Sequence, residues 1–214
     1  MSEFISNKCL CTLLYAIERV SIEYVQYPDY KGIEENDFPH IERVFAYELY
    51  RQWTNLLKDL GCPLILNAEI SKYKKVCFSG LPEKEGDNTK GAIFPDMVLH
   101  HGQGDTTFHK IVCEIKRDLN NNIDEIENDF DKLISLTKKG ALEGFPYRWG
   151  IMLVYGSNDA NTTLTKYRNL IKGRGLINKV YANRVLLILA KYDGNCKEKK
   201  PHIIVKKLMD LVKE

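Results

Sequence analysis

The sequence predicts an α/β fold, a central mixed sheet flanked by helices, and three observations predict it. Apolar stripes at helical spacing alternate along the chain with short apolar runs of strand length. Two of those runs flank the five-residue segment Gly102-Gln103-Gly104-Asp105-Thr106, whose two glycines suit a hairpin connection. The resulting order, helix, strands, hairpin, helix, strand, helix, strand, is that of a layered α/β sandwich.

Residues 6–26 read as a first helix with Ser6 as candidate N-cap, followed by a connecting loop over Tyr27 to Phe38. Residues 40–60 carry the clearest helical pattern: Ile41, Phe45, Leu49, Trp53, Leu56 and Leu60 make the stripe, and Gly61 is a natural C′ stop. Pro63 to Ile70 and Lys74 to Ser79 read as strands, and residues 80–91 as a polar loop. Ile93 to His101 and Thr107 to Lys116 are the two hairpin strands. Residues 122–138 form a helix with Ile123, Ile126, Phe130, Leu133 and Leu136 inward, and Gly140 follows as a stop. Arg148 to Tyr155 is a strand, 161–173 a helix, Arg184 to Tyr192 a strand, and Val205 to Val212 a last helix.

A chain of 214 residues fits one domain over 1–214 and needs no disulfide or metal staple to bury a core. Within it, residues 1–39 read as an N-terminal helical extension and 156–214 as a basic C-terminal portion. No run approaches the roughly 18 apolar residues of a membrane span. Met1 to Asn7 lacks a basic n-region, so no signal peptide is expected, and the expected location is cytoplasmic. None of the six cysteines forms a CxxC pair, which reads as reduced core cysteine; Cys9-x-Cys11 lacks a second pair to complete a zinc site. The net charge of +2 is unevenly spread: residues 161–214 hold 13 Lys/Arg against 4 Asp/Glu, leaving −7 on the first 160. A basic portion beside an acidic one suits a polyanion partner and a cation site, though a solvated lysine-rich surface would look the same.

The chemistry concentrates at Pro95-Asp96 and Glu114-Ile115-Lys116. Strand alternation puts Val112, Glu114 and Lys116 on one face. A symmetric hairpin about Gly104 makes paired residue numbers sum to about 208, with Asp96 opposite Val112 and diagonal to Glu114. Diagonal neighbours are about 7–8 Å apart, within reach of one shared cation. A one-residue slip would turn Asp96 to the other face. Two carboxylates are what Mg²⁺ commonly takes from a protein, the rest being water and phosphate.

Pro95-Asp96 with Glu114-Ile115-Lys116 resembles the motif of the PD-(D/E)xK nuclease superfamily. The flanking order over residues 40–155 is similar to that family's restriction-endonuclease-like α-β-β-β-α-β core. Tyr47-Glu48-Leu49-Tyr50, Glu69-Ile70-Ser71-Lys72 and Asp131-Lys132-Leu133 add a likeness to small microbial members. The resemblance implies a metal-dependent deoxyribonuclease in which Asp96 and Glu114 bind Mg²⁺, with Mn²⁺ as a substitute. Lys116 would position the attacking water, and the products would be a 5′-phosphate and a 3′-hydroxyl. It also implies a further helix glutamate. Glu42, on the apolar stripe beside Phe45 and Leu49, is favoured slightly over Glu48 at the stripe's edge.

Lys132, Arg168, Lys172 and Arg174 are the candidate DNA contacts, with Tyr167 beside Arg168; DNA is the expected partner and a homodimer a compatible assembly. Glu69, His100 and Lys138 are lesser candidates. A nuclease-fold module that binds nucleic acid or a partner without cutting is the competing expectation, and a small-molecule α/β enzyme a third.

Overall fold

The structure, a computed structural model, describes residues 2–25, 41–68, 95–101, 109–118, 122–137, 147–173, 182–193, 200–211 and 213. Among these residues six strands form one mixed sheet in sequential order: β1 (Ile65–Ala68), β2 (Met97–His100), β3 (Ile111–Arg117), β4 (Trp149–Gly156), β5 (Val185–Lys191) and β6 (His202–Lys207). β1, β2 and β3 are antiparallel neighbours, β3, β4 and β5 are parallel, and β6 closes the far edge antiparallel to β5. Two helices lie on each face, α1 (Ser2–Glu18) and α2 (Ile41–Asp59) on one, α3 (Ile123–Thr137) and α4 (Ala160–Gly173) on the other.

The layering follows from the residues. α1 turns Cys9, Leu13, Ala16, Ile17 and Val20 inward at helical spacing. α2 does the same with Phe45, Leu49, Trp53, Leu56 and Leu57. β4 and β5 are buried on both faces, which is why Trp149–Gly156 and Val185–Lys191 read as nearly unbroken apolar runs. α3 and α4 are the crossovers β3-α3-β4 and β4-α4-β5. Two like-handed crossovers in a 3-4-5 strand order place both helices on one face. Gly150 lets α3 settle close: a Cβ there would lie 3.2 Å from Leu133 Cβ and 3.2 Å from Thr137 Cγ2.

Several expectations need correction. α1 starts at Ser2, so Ser6 is inside the helix; apolar periodicity marks the buried stretch and not the first turn. α1 ends at Glu18 instead of 26, because Ser21 caps a separate 3-10 turn, Ile22–Tyr24, accepting from the Glu23 amide at 3.5 Å. Leu60 is 65% exposed, and Leu57 holds the inward place expected for it. Ile123 is exposed too. The helix expected over 205–212 is instead, as far as Leu211, the end of β6 followed by turns. The β-branched run Ile203-Ile204-Val205 favours an extended chain, and pairing with β5 satisfies its backbone. Gly61 does stop α2, at φ +58° with its amide on the Lys58 carbonyl. The connecting loop over 27–38, the strand over 74–79, the loops over 80–91 and 102–106 and the Gly140 stop lie outside the described residues.

Candidate metal and phosphate site

The site forms where β2 stops short. β2 pairs with β3 through Leu99↔Ile111, Val98↔Val112 and Met97↔Cys113. Paired numbers therefore sum to 210, two more than a loop centred on Gly104 gives, so Asp96 lines up with Glu114 and not with Val112. A shift of two preserves parity, and Asp96 keeps the face of Glu114. Asp96 itself lies in a bend just before β2, where its Oδ2 accepts the Ile115 amide at 2.6 Å. Past Cys113, β3 has no ladder partner on its β2 side among the described residues. Side chains from both layers can therefore approach Glu114 and Lys116.

From the α3 layer come Glu125, Asp129 and Lys132, whose i, i+4, i+7 spacing puts them on one stripe. Lys116 Nζ lies 2.7 Å from Glu125 Oε1 and 3.0 Å from Asp129 Oδ2. Lys132 Nζ lies 2.5 Å from Asp129 Oδ1 and 3.0 Å from Glu114 Oε1. Asp129 thus bridges two ammonium groups, one on each oxygen. Glu114, Asp129 and Lys116 are buried, while Lys132 keeps 28% of its side chain exposed.

From the opposite layer comes Glu42, in the first turn of α2. One turn on, Phe45 stacks face to face on Tyr155 of β4, with ring centroids 3.9 Å apart, which fixes where α2 begins over the sheet. Glu42 then reaches the end of β3, accepts the Arg117 backbone amide and feels the charges of Lys116 and Asp96. Glu48 goes elsewhere. It pairs with Arg51 through both oxygens, at 2.8 and 2.7 Å, and accepts from Gln52 at 2.7 Å, all within α2. Of the two helix acids, the structure brings only Glu42 to Asp96 and Lys116.

Five carboxyl groups face two ammonium groups here, and the carboxyls respond. Burial first, and then Asp96 and Asp129, push Glu114 up to about 9. Burial pushes Glu42 up to about 7 against the pull of Lys116. Burial raises Asp96 as well, against its bond from Ile115. Lys116 is raised as well, which for a base favours the charged form: burial is outweighed by Glu125, Glu42 and Asp129, which hold it firmly as an ammonium. It can supply charge and a donor, but it cannot accept a proton near neutral pH.

Among the described residues, no three His, Cys, Asp or Glu side chains form a group that could hold a metal ion. Mg²⁺ needs less, since one or two carboxylates with water and substrate oxygens complete its shell. Glu114 Oε1 and Asp129 Oδ2 are buried and lack a hydrogen bond of proper geometry, although a lysine ammonium stands 3.0 Å from each. Buried carboxylate oxygens without a directed donor suit a hard cation. Glu114 is one such carboxylate, and the register sets Asp96 beside it; two carboxylates are within what Mg²⁺ takes from a protein.

The other candidates scatter. Tyr167 is buried edge-on against Phe130, a core residue and not a phosphate contact. Arg168 Nε donates to the Leu211 carbonyl at 2.9 Å, so it ties α4 to the chain's end. Lys172 is exposed in the last turn of α4. His100, at the far end of β2 from Asp96, bonds Asn67 at 2.7 Å and the His101 carbonyl at 2.5 Å. Cys9 is buried while Cys11 is exposed, so the two diverge. Glu69, Lys138, Arg174 and the Glu69-Ile70-Ser71-Lys72 segment lie outside the described residues.

Sequence reasoning missed Asp129 and Glu125. Asp129 carried a signal: it falls three residues after Ile126 and four before Leu133, on the apolar stripe of α3, the same anomaly that marked Glu42. No family model matches the chain, and no curated protein or solved structure does either.

Proposed function

We propose that the chain is a Mg²⁺-dependent nuclease of the restriction-endonuclease-like, PD-(D/E)xK type, hydrolysing DNA phosphodiester bonds. The observation that carries this reading is the strand register that lines Asp96 up with Glu114 and sets Lys116 two residues on, on the same face. Asp96 and Glu114 would hold the ion, which when bound polarises the scissile phosphate and acidifies a bound water. Lys116, a fixed ammonium, orients the attacking water and offsets charge that builds on the phosphate oxygens. Asp129 and Glu125 aim Lys116 from the α3 side, and Glu42 completes the acidic cluster from the α2 side. The basic C-terminal portion, with Lys172 on its surface, tracks the DNA backbone.

The test is incubation of supercoiled and linear DNA with the protein in Mg²⁺, in EDTA, and with Asp96→Ala or Lys116→Ala in place of the wild type. Cleavage should require the metal and both side chains. Cleavage unaffected by all three changes would sink the assignment.

A second reading is favoured by one observation: lysines already neutralise the acids, with Lys132 on Glu114 and Lys116 on Asp129. On that reading the chain is a nucleic-acid-binding or partner-binding module that does not cut. Titration with Mn²⁺ separates the two, because such a module shows no binding that depends on Asp96 and Glu114.

A further inference from the structure

Lys132 reaches from α3 to the buried carboxyl group of Glu114 on β3. Its ammonium is 3.0 Å from Glu114 Oε1, a carboxylate oxygen buried without a directed hydrogen bond, and 2.5 Å from Asp129 Oδ1. The two contacts differ in kind. Asp129 is three residues away on the same helix, so that pair is local to α3, whereas Glu114 belongs to the sheet. Lys132 also keeps a partly exposed side chain, unlike Lys116, and so has room to move. A lysine stem is long and its head rotates freely, so one contact can be given up while the other is kept.

We propose that Lys132 and a divalent cation bind Glu114 in exchange: the ammonium holds Glu114 in the metal-free protein, yields it when the ion arrives, and stays on Asp129 facing the substrate phosphate. This rests on the metal-site reading above and adds to it a residue that couples ion loading to phosphate binding. Glu114 cannot give the same oxygen to both partners, and two cations side by side repel. The freed ammonium keeps Asp129 as counter-ion and gains a phosphate oxygen when DNA binds.

Calorimetric titration of Mn²⁺ without DNA tests the exchange in wild type, Lys132→Met, Lys132→Gln, Glu114→Gln and Lys58→Met, at one ionic strength. Lys132→Met keeps the apolar stem, Lys132→Gln is a second neutral replacement, and both residues are good helix formers. Lys58 lies exposed in the last turn of α2 and controls for loss of one positive charge. Both Lys132 variants should bind Mn²⁺ about tenfold more tightly than wild type, within the usual range for two coupled ligands. Lys58→Met should match wild type and Glu114→Gln should lose the site. Equal or weaker binding in both Lys132 variants overturns the exchange while leaving the metal site standing. Absence of Glu114-dependent binding in every protein overturns the metal site and the exchange together.

Binding of a short DNA duplex in Ca²⁺, measured against salt concentration, tests the phosphate contact. Lys132→Met should lower the slope of log affinity against log salt by about 1, the loss of one phosphate contact. An unchanged slope overturns that part.

Discussion

Glu42 and Glu114 are acids held far above their ordinary value of 4.5, to about 7 and about 9. A carboxyl with a raised folded value keeps its proton where the unfolded chain has released it. Its contribution is complete below about 4.5 and is lost as pH rises toward the folded value. The metal-free protein should therefore lose thermal stability between pH 5 and pH 9, followed by calorimetry in EDTA. Glu42→Gln should flatten the slope up to about pH 7, and Glu114→Gln should flatten it over the whole range up to about pH 9; slopes that match wild type would contradict the placement of these groups. Residue by residue, the sequence shows the site unevenly. Asp96, Glu114 and Lys116 are visible because strand alternation fixes parity, and parity survives an error of two in register. Asp129 is only half visible, because its place on the apolar stripe of α3 marks it as anomalous but does not tell that it meets Lys116 from β3.

At the scale of elements, the parallel strands are tied together at their C-terminal ends by a buried pair that no local pattern announces. Lys191, ending β5, donates to Asp118 Oδ2 at 2.8 Å and to Thr163 Oγ1 of α4 at 2.8 Å. Asp118, just past β3, also accepts the Asn158 amide at 2.7 Å. Gly156, ending β4 at φ +150°, makes the room, since a Cβ there would overlap the Asp118 carboxyl group. Removing one partner leaves a buried charge alone, so Asp118→Ala should cost about 3–5 kcal/mol in denaturant unfolding. Gly156→Ala should be of comparable severity, on the order of 3 kcal/mol, from a residue forced into a glycine conformation against a fixed carboxylate. Losses under 1 kcal/mol in both would show that the bracket is not needed. Because Asp118 is two residues beyond Lys116, Asp118→Ala should also slow any Lys116-dependent activity. The elements that could be read in advance are those with one dominant period, such as α2, β4 and β5. β6 could not, because a six-residue run ending in two lysines fits a strand and a helical turn alike until a sheet edge is there to pair with it.

At the scale of the molecule, the described residues build one sheet with two helices on each face, and the acidic cluster opens where the antiparallel and parallel halves meet at β3. That place lets acids from both layers converge, Glu42 from one and Asp129 from the other, with Asp96 and Glu114 between them. No helix among the described residues is long and apolar enough to cross a membrane. The layered architecture followed from the order of elements, but the convergence did not, since it depends on β2 beginning only at Met97 and on Phe45 stacking on Tyr155 across the sheet. The most direct test of the central claim is the single-turnover rate of DNA cleavage in Mg²⁺ by wild type, Asp96→Asn and Lys116→Met, with product ends identified. The wild type should leave 5′-phosphate ends, and each variant should lose about 10²-fold or more in rate at unfolding temperatures that show a folded chain. Cleavage at the wild-type rate by either folded variant, or none by a wild-type protein saturated with Mg²⁺, would contradict that claim.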